Sequence, residues 1–109
     1  MLRNLPLQEG KKLKDLIDYR SNQVVSMSLT RGESIQMVLF AFDSQENISE
    51  EVYFGDTMYL VVDGKMKLQM GETERIISEG EIIAVPAGTP HAIGGIGAFK
   101  LLQINASAR

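Results

Sequence analysis

Cysteine is absent from this chain of 109 residues, and histidine occurs once, at position 91. Without cysteine there is no disulfide scaffold, and a cytoplasmic location is expected. The single histidine leaves few candidates for metal binding or acid–base chemistry, and His91 is the first of them. Long apolar runs are also missing, so the sequence predicts neither a signal peptide nor a membrane span.

The sequence also lacks a basic face. Its formal net charge is −3 and its isoelectric point is about 5.1. Domains that bind nucleic acid usually carry clustered positive charge, so no nucleic-acid partner is expected. The basic residues Lys11, Lys12 and Lys14 are flanked by acidic ones, and we interpret this mixed run as solvated surface.

What the chain does have is the composition of one soluble globular domain. Hydrophobic residues make up 44% of it and charged residues 23%, and the length suits a single core. Residues 1–23 are predicted to form an N-terminal arm, in which Leu13, Leu16 and Ile17 show the spacing of a short helical turn. Residues 24–109 are predicted to form one all-β domain.

Short apolar runs separated by turn residues fill the rest of the chain. Such runs at intervals of about 8 to 12 residues are typical of a sandwich or barrel. Asp63-Gly64 predicts a two-residue hairpin turn between two of them. The predicted strands are 24–29, 35–42, 58–62, 65–70, 74–77, 82–85 and 98–105, with a further strand beginning at His91.

The run 35–42 is apolar on both of its faces. Ile35, Met37, Leu39 and Ala41 alternate with Val38, Phe40 and Phe42. A strand of an antiparallel sheet normally has one polar face, so two apolar faces require cover on both sides. A second subunit would provide the second cover, and we therefore predict a homodimer.

One motif stands out near the single histidine. An apolar strand ends in a proline–glycine turn, which delivers His91 to the start of the next strand. The spacing G-x5-P-x-G-x2-H resembles the second motif of the cupin family, although Gly95 replaces the asparagine that often follows. The resemblance covers about residues 13–104 and implies an all-β double-stranded β-helix, the cupin jelly-roll barrel. The residues that match are Gly80, Pro86, Gly88 and His91.

The family's first motif departs further from the pattern. It usually supplies two histidines as H-x-H and then an acid. In this sequence Glu51 and Tyr53 stand at the paired-histidine positions, and Asp56 or Thr57 stands near the acid position. The resemblance therefore implies a metal site that would have to use His91, Glu51 and Asp56.

Strand geometry gives the same region a second interpretation. Residues two apart on a strand share a face, so Glu51 and Tyr53 are predicted to meet His91 at a small interior cavity. A shift of one residue would turn Glu50 inward instead. Two other interpretations stay open: His91 as a turn residue bonded to a backbone carbonyl, and Tyr53 as an aromatic of the core or rim.

Three functions follow from these residues, and whether the chain is an enzyme stays open. Loss of both paired histidines favours a barrel that binds a small molecule, with an atypical or absent metal site and no assigned reaction. A metal-dependent dioxygenase or isomerase would use His91, Glu51 and Asp56 to bind Mn, Fe, Ni or Zn, and we expect such binding to be weak or absent. A metal-independent isomerase or epimerase would use His91 with Glu51 or Tyr53 for proton transfer.

Overall fold

The computed structural model describes residues 1–32 and 34–107. Within them the chain forms nine strands and one short 3₁₀ turn in the arm, Leu13–Leu16. The all-β prediction is therefore confirmed. The strands are β1 (Val24–Ser28), β2 (Ile35–Phe42), β3 (Asn47–Glu51), β4 (Asp56–Asp63), β5 (Lys65–Met70), β6 (Thr73–Ser78), β7 (Ile82–Val85), β8 (His91–Gly95) and β9 (Phe99–Ala106).

The strands form two sheets that pack face to face as a jelly-roll barrel. The five-stranded sheet has the order β1-β2-β9-β4-β7, and the four-stranded sheet has the order β3-β8-β5-β6. Every pairing is antiparallel. No helix of the described residues is long and apolar enough to cross a membrane.

The interior core lies between the two sheets and consists of large apolar side chains. Phe42 and Phe99 stack there, with ring centroids 4.5 Å apart and an interplanar angle of 10°. Alternation along each strand produces this core, because every second side chain points between the sheets. Its other buried members are Tyr59, Val61, Met66, Leu68, Ile77, Val85, Ile93 and Leu101.

The predicted hairpin at Asp63-Gly64 is wrong. β4 pairs with β7 and β9, whereas β5 pairs with β6 and β8, so the chain changes sheets at this turn. Gly64 has φ +73°, and a Cβ there would lie 2.5 Å from the carbonyl oxygen of Ala98. The glycine is thus required by a close backbone approach at a corner between sheets.

Both apolar faces of β2 are covered, and the cover of the outer face comes from the chain itself. Phe42 faces the interior core, while Leu39 and Ala41 are fully buried on the outer face. Ile17 of the arm belongs to the same outer cluster. The pattern of β2 therefore has an explanation within one chain. Ile35 on the same strand is still 50% exposed, and the homodimer stays a prediction.

A buried lysine fastens the arm to the outer face of the five-stranded sheet. The Lys100 ammonium donates a hydrogen bond to the carbonyl oxygen of Lys14 at 2.5 Å and lies 4.8 Å from the ring centroid of Tyr19. The Tyr19 hydroxyl in turn donates to Asp63 Oδ2 at 2.6 Å. These contacts satisfy a cation on an otherwise apolar surface, and they hold residues 14–19 against β4 and β9.

Candidate functional site

His91 lies at the end of the barrel opposite the phenylalanine stack and points into the interior. It is 2% exposed and is the first residue of β8. The turn before it includes Gly88 at φ +77°, and the N–H of Thr89 donates to the carbonyl oxygen of Pro86 at 3.3 Å. This tight turn places the Thr89 carbonyl oxygen 3.0 Å from His91 Nδ1.

Both ring nitrogens of His91 have partners. The Tyr59 hydroxyl lies 2.7 Å from Nε2, and Tyr59 is itself 1% exposed. A backbone carbonyl can only accept a hydrogen bond, so Nδ1 carries the proton that is shared with Thr89. In the neutral ring, Nε2 then accepts its hydrogen bond from the Tyr59 hydroxyl. His91 is therefore bonded to a backbone carbonyl of the preceding turn and also lies in the barrel interior. The two interpretations of this residue are compatible.

Tyr53 and Glu51 also border His91, although not for the reason that the sequence suggested. β3 ends at Glu51, whose Cα lies opposite that of His91, and its register shifts after Ile48. Tyr53 follows in the loop to β4, half-buried, with its ring centroid 5.8 Å from that of His91. Glu51 rather than Glu50 thus borders the histidine, and its side chain is exposed at the rim.

Asp56 is not among the side chains around His91. Its Oδ1 accepts a hydrogen bond from the N–H of Ala87 at 2.8 Å, so it joins the start of β4 to the turn before β8. Thr57 is buried, and its hydroxyl donates to Asn105 Oδ1 at 2.6 Å. Both residues that stood near the family's acid position therefore make structural hydrogen bonds in this chain.

The interior around His91 is closed. Its neighbours leave no volume that a water molecule could enter, so the predicted small cavity is filled by the site's own side chains. Tyr53 is the member that lies on a loop rather than on a strand. The neighbours are Ile48, Glu51, Tyr53, Tyr59, Ile93 and Gln103.

The sequence profile of the cupin domain family matches residues 50–105, which include β4 to β8 and the histidine motif. The chain belongs to the cupin family. A solved cupin superfamily protein from Desulfitobacterium hafniense is 40% identical, with a TM-score of 0.95 over 98% of each chain. A conserved protein of unknown function from Streptococcus pyogenes, 22% identical, shares the fold with a TM-score of 0.93 over 99% of this chain and 95% of its own.

A curated relative also gives no information about a reaction or a ligand. An uncharacterised protein from Streptomyces coelicolor is 25% identical over 71 residues, which are 65% of this chain and 68% of that protein. These similarities establish a cupin and give no reaction or ligand. The function has to be argued from the site itself.

Cupins often hold a divalent metal, and the residues of this site do not fit one. His91 is the one imidazole of the chain, and Tyr59 and Thr89 already use its two nitrogens. Among residues 1–32 and 34–107, no group of three or more histidine, cysteine, aspartate or glutamate side chains is arranged to hold a metal. Tight sites for transition metals take several such donors at once, so this donor set is insufficient.

The hydroxyls beside His91 resist ionisation. Burial raises the pKa of Tyr59 well above its ordinary value, and the nearby Tyr53 and Glu51 act in the same direction. Burial also raises the pKa of Tyr53, with Glu51 adding to the effect and a hydrogen bond with Gln103 opposing it. Both tyrosines are therefore neutral near pH 7, so they act as hydrogen-bonding groups rather than as bases.

The tyrosines allow a direct test of this burial. All three tyrosines of the chain have a raised pKa, relative to the ordinary value of 10.0. A raised pKa in the folded state adds stability that is fully present below pH 10 and is lost as the pH rises through the folded-state pKa.

We expect the native protein at about pH 10 to show little tyrosinate absorbance in the near ultraviolet, whereas in urea about half of its tyrosine should be ionised. We also expect the free energy of unfolding to fall as the pH rises above this value. Equal titration curves for the native and the urea-unfolded protein would contradict the buried hydroxyls.

Two residues of the site were missed by the sequence analysis. Tyr59 was assigned only to an apolar run, and Gln103 only to the last strand. Alternation gives the missing signal, because Thr57, Tyr59 and Val61 share the inward face of β4, and Gln103 is an inward polar residue of β9. A buried polar side chain on an inward face needs a partner, and that need points to the site.

Proposed function

We propose that this cupin binds a small polar molecule at the His91 end of its barrel without using a metal. The observation that carries the proposal is the buried hydrogen bond of 2.7 Å between Tyr59 and His91. It presents a polar pair at the base of a site whose rim is formed by Tyr53 and Glu51. Convergent polar groups at the mouth of a β-barrel are typical of ligand sites.

Entry of a ligand requires Tyr53 to move. This residue lies on the loop between β3 and β4, and its carbonyl oxygen accepts a hydrogen bond from the N–H of Gly88 at 2.9 Å. Asp56, the first residue of β4 directly after this loop, binds the same turn through Ala87. When these two bonds break, the ring can leave, and the space it vacates lies beside His91. Asp56 then has the role of a latch rather than that of a metal ligand.

The protonation state of the two tyrosine hydroxyls favours ligand binding over proton transfer as the function of the site. To act as a general base, Tyr59 or Tyr53 would need to be a tyrosinate, and the raised pKa of both residues opposes that form. The lone pair of His91 Nε2 is engaged by a hydroxyl that is hard to ionise. The Tyr59 oxygen keeps a lone pair with which it can accept a hydrogen bond from a ligand, which is a recognition role.

The test is thermal unfolding of the untagged protein with a panel of sugars, sugar nucleotides and hydroxy acids, each with EDTA and without it. A compound that binds should raise the unfolding temperature to the same extent in both conditions, because binding to the native state adds stability by mass action. For that compound, we expect Tyr59→Phe to weaken the affinity about tenfold, as one hydrogen-bonding group is lost.

Tyr19→Phe is the matched control, since Tyr19 is also a hydrogen-bonded tyrosine with a raised pKa but lies on the outer face. It should lower the basal unfolding temperature and leave the ligand-induced rise unchanged. A rise that EDTA abolishes, or one that Tyr59→Phe leaves intact, would refute the proposal.

A further inference from the structure

A second concave site lies on the opposite side of the four-stranded sheet from His91. This outer groove has a volume of about 260 Å³. Its floor is β8, where Ala92 and Gly94 point outward while His91 and Ile93 point into the barrel. Its polar wall residues are Gln45, Glu46, Asn47, Ser49, Lys67 and Gln69.

The groove exists because the central strand has almost no side-chain bulk at this place. β8 runs between β3 and β5, and Gly94 lies in register with Lys67 on one side and Asn47 on the other. Neighbouring strands are about 4.8 Å apart, so the two walls stand roughly 10 Å from each other. A Cβ on Gly94 would come within 3.1 Å of the Asn47 Cβ, so any side chain there would fill the groove.

The walls carry charges of both signs and several neutral hydrogen-bonding groups. Lys67 brings an ammonium from β5, and Glu46 brings a carboxylate from the segment before β3. Lys67 has an ion pair with Glu74, but the two atoms are 3.9 Å apart and the side chains are 41% and 49% exposed. Exposed pairs of this kind contribute little, so the ammonium is available to a ligand.

We propose that the outer groove binds a small zwitterion of the α-amino acid class. The ligand's carboxylate would pair with Lys67, its ammonium with Glu46, and its side chain with the amides of Asn47 and Gln69. Charge-assisted hydrogen bonds at both ends give this class an advantage over a molecule that carries one charge. The volume of the groove suits an amino acid, since this volume lies just below the range of pockets that hold drug-sized molecules. This site is independent of the one at His91.

The test is a titration of the full chain, followed by the NMR signals of its backbone amides. The probes are serine, glycerate and ethanolamine, which have similar size and hydroxyls but carry two charges, a carboxylate alone and an ammonium alone. We expect serine to shift the signals of Gly94 and Asn47 and to bind about tenfold more tightly than either of the others, because each of them loses one charge-assisted bond.

Two variants with matched controls separate a site from a charged surface. Lys67→Met should weaken serine binding about tenfold, whereas Lys65→Met removes an exposed lysine of the same strand that does not line the groove and should change nothing. Glu46→Gln should likewise weaken serine binding, and Glu50→Gln should not. Equal binding of serine and glycerate, shifts confined to the His91 end, or no shift with serine at all would each overturn the proposal.

Discussion

Phe99→Ala is expected to lower the free energy of unfolding by about 3 to 5 kcal/mol, the cost of removing a fully buried phenylalanine from a packed core. Phe99 has no exposed surface and stacks on Phe42. The cavity left behind would lie between the two sheets, where neither can close on it without breaking its own strand pairing. In thermal unfolding, the loss corresponds to a fall of roughly 15 to 30 °C in Tm for a domain of this size.

The control is Phe54→Ala, in the loop that also carries Tyr53. Phe54 is fully exposed, so its removal should change the free energy of unfolding by no more than about 0.5 kcal/mol. Circular dichroism with urea gives both values on the same scale. If Phe99→Ala and Phe54→Ala lowered the free energy of unfolding equally, the interior stack would not be the centre of the core.

Gly95→Ala is expected to cost roughly 3 kcal/mol, at the upper end for an overpacked site. A Cβ at this position would lie 2.3 Å from the carbonyl oxygen of Gly97 and 2.5 Å from Cδ1 of Phe99. The phenylalanine ring is able to shift, but the backbone oxygen is held by the bend before β9. Substitution by asparagine, the residue that cupins often have at this point of the second motif, should cost at least as much.

Gly97→Ala is the matched control, because a Cβ there meets nothing within 4 Å. It should stay within about 1 kcal/mol of the parent protein, since the loss of glycine freedom in the unfolded chain is worth at most that. Urea unfolding of both variants is the measurement. Equal stability of the two would mean that the departure from the family motif at Gly95 has no packing cause.

The fold was predictable from the sequence because period-two alternation and turn residues recur along most of the chain. The sheet order was not, and Asp63-Gly64 shows why. Local turn chemistry favoured a hairpin, but the dipeptide also suits a corner at which the chain leaves one sheet for the other. The choice depends on which distant strand pairs with β4, and that partner, β9, is about 40 residues further along the sequence.

The site was predictable in part. The interior placement of His91 was predicted from its motif, and the neighbouring placement of Glu51 and Tyr53 from their positions relative to it. Tyr59 was missed because a tyrosine in an apolar run is usually a core residue, and it becomes a site residue only when β4 and β8 face each other across the barrel. Asp56 was assigned from family position alone, whereas its carboxylate accepts a hydrogen bond from a backbone N–H in the turn before β8.

The two bonds that join Tyr53 and Asp56 to the turn before β8 have a consequence for timing. Gly88 binds the carbonyl oxygen of Tyr53, and Ala87 binds Asp56 at the start of β4, so the turn before β8 separates from these residues only when both bonds break. Such concerted loop openings belong to the microsecond-to-millisecond range rather than to the nanoseconds of side-chain rotation. The apparent affinity of any ligand for the interior is then its intrinsic affinity reduced by the fraction of molecules that are open.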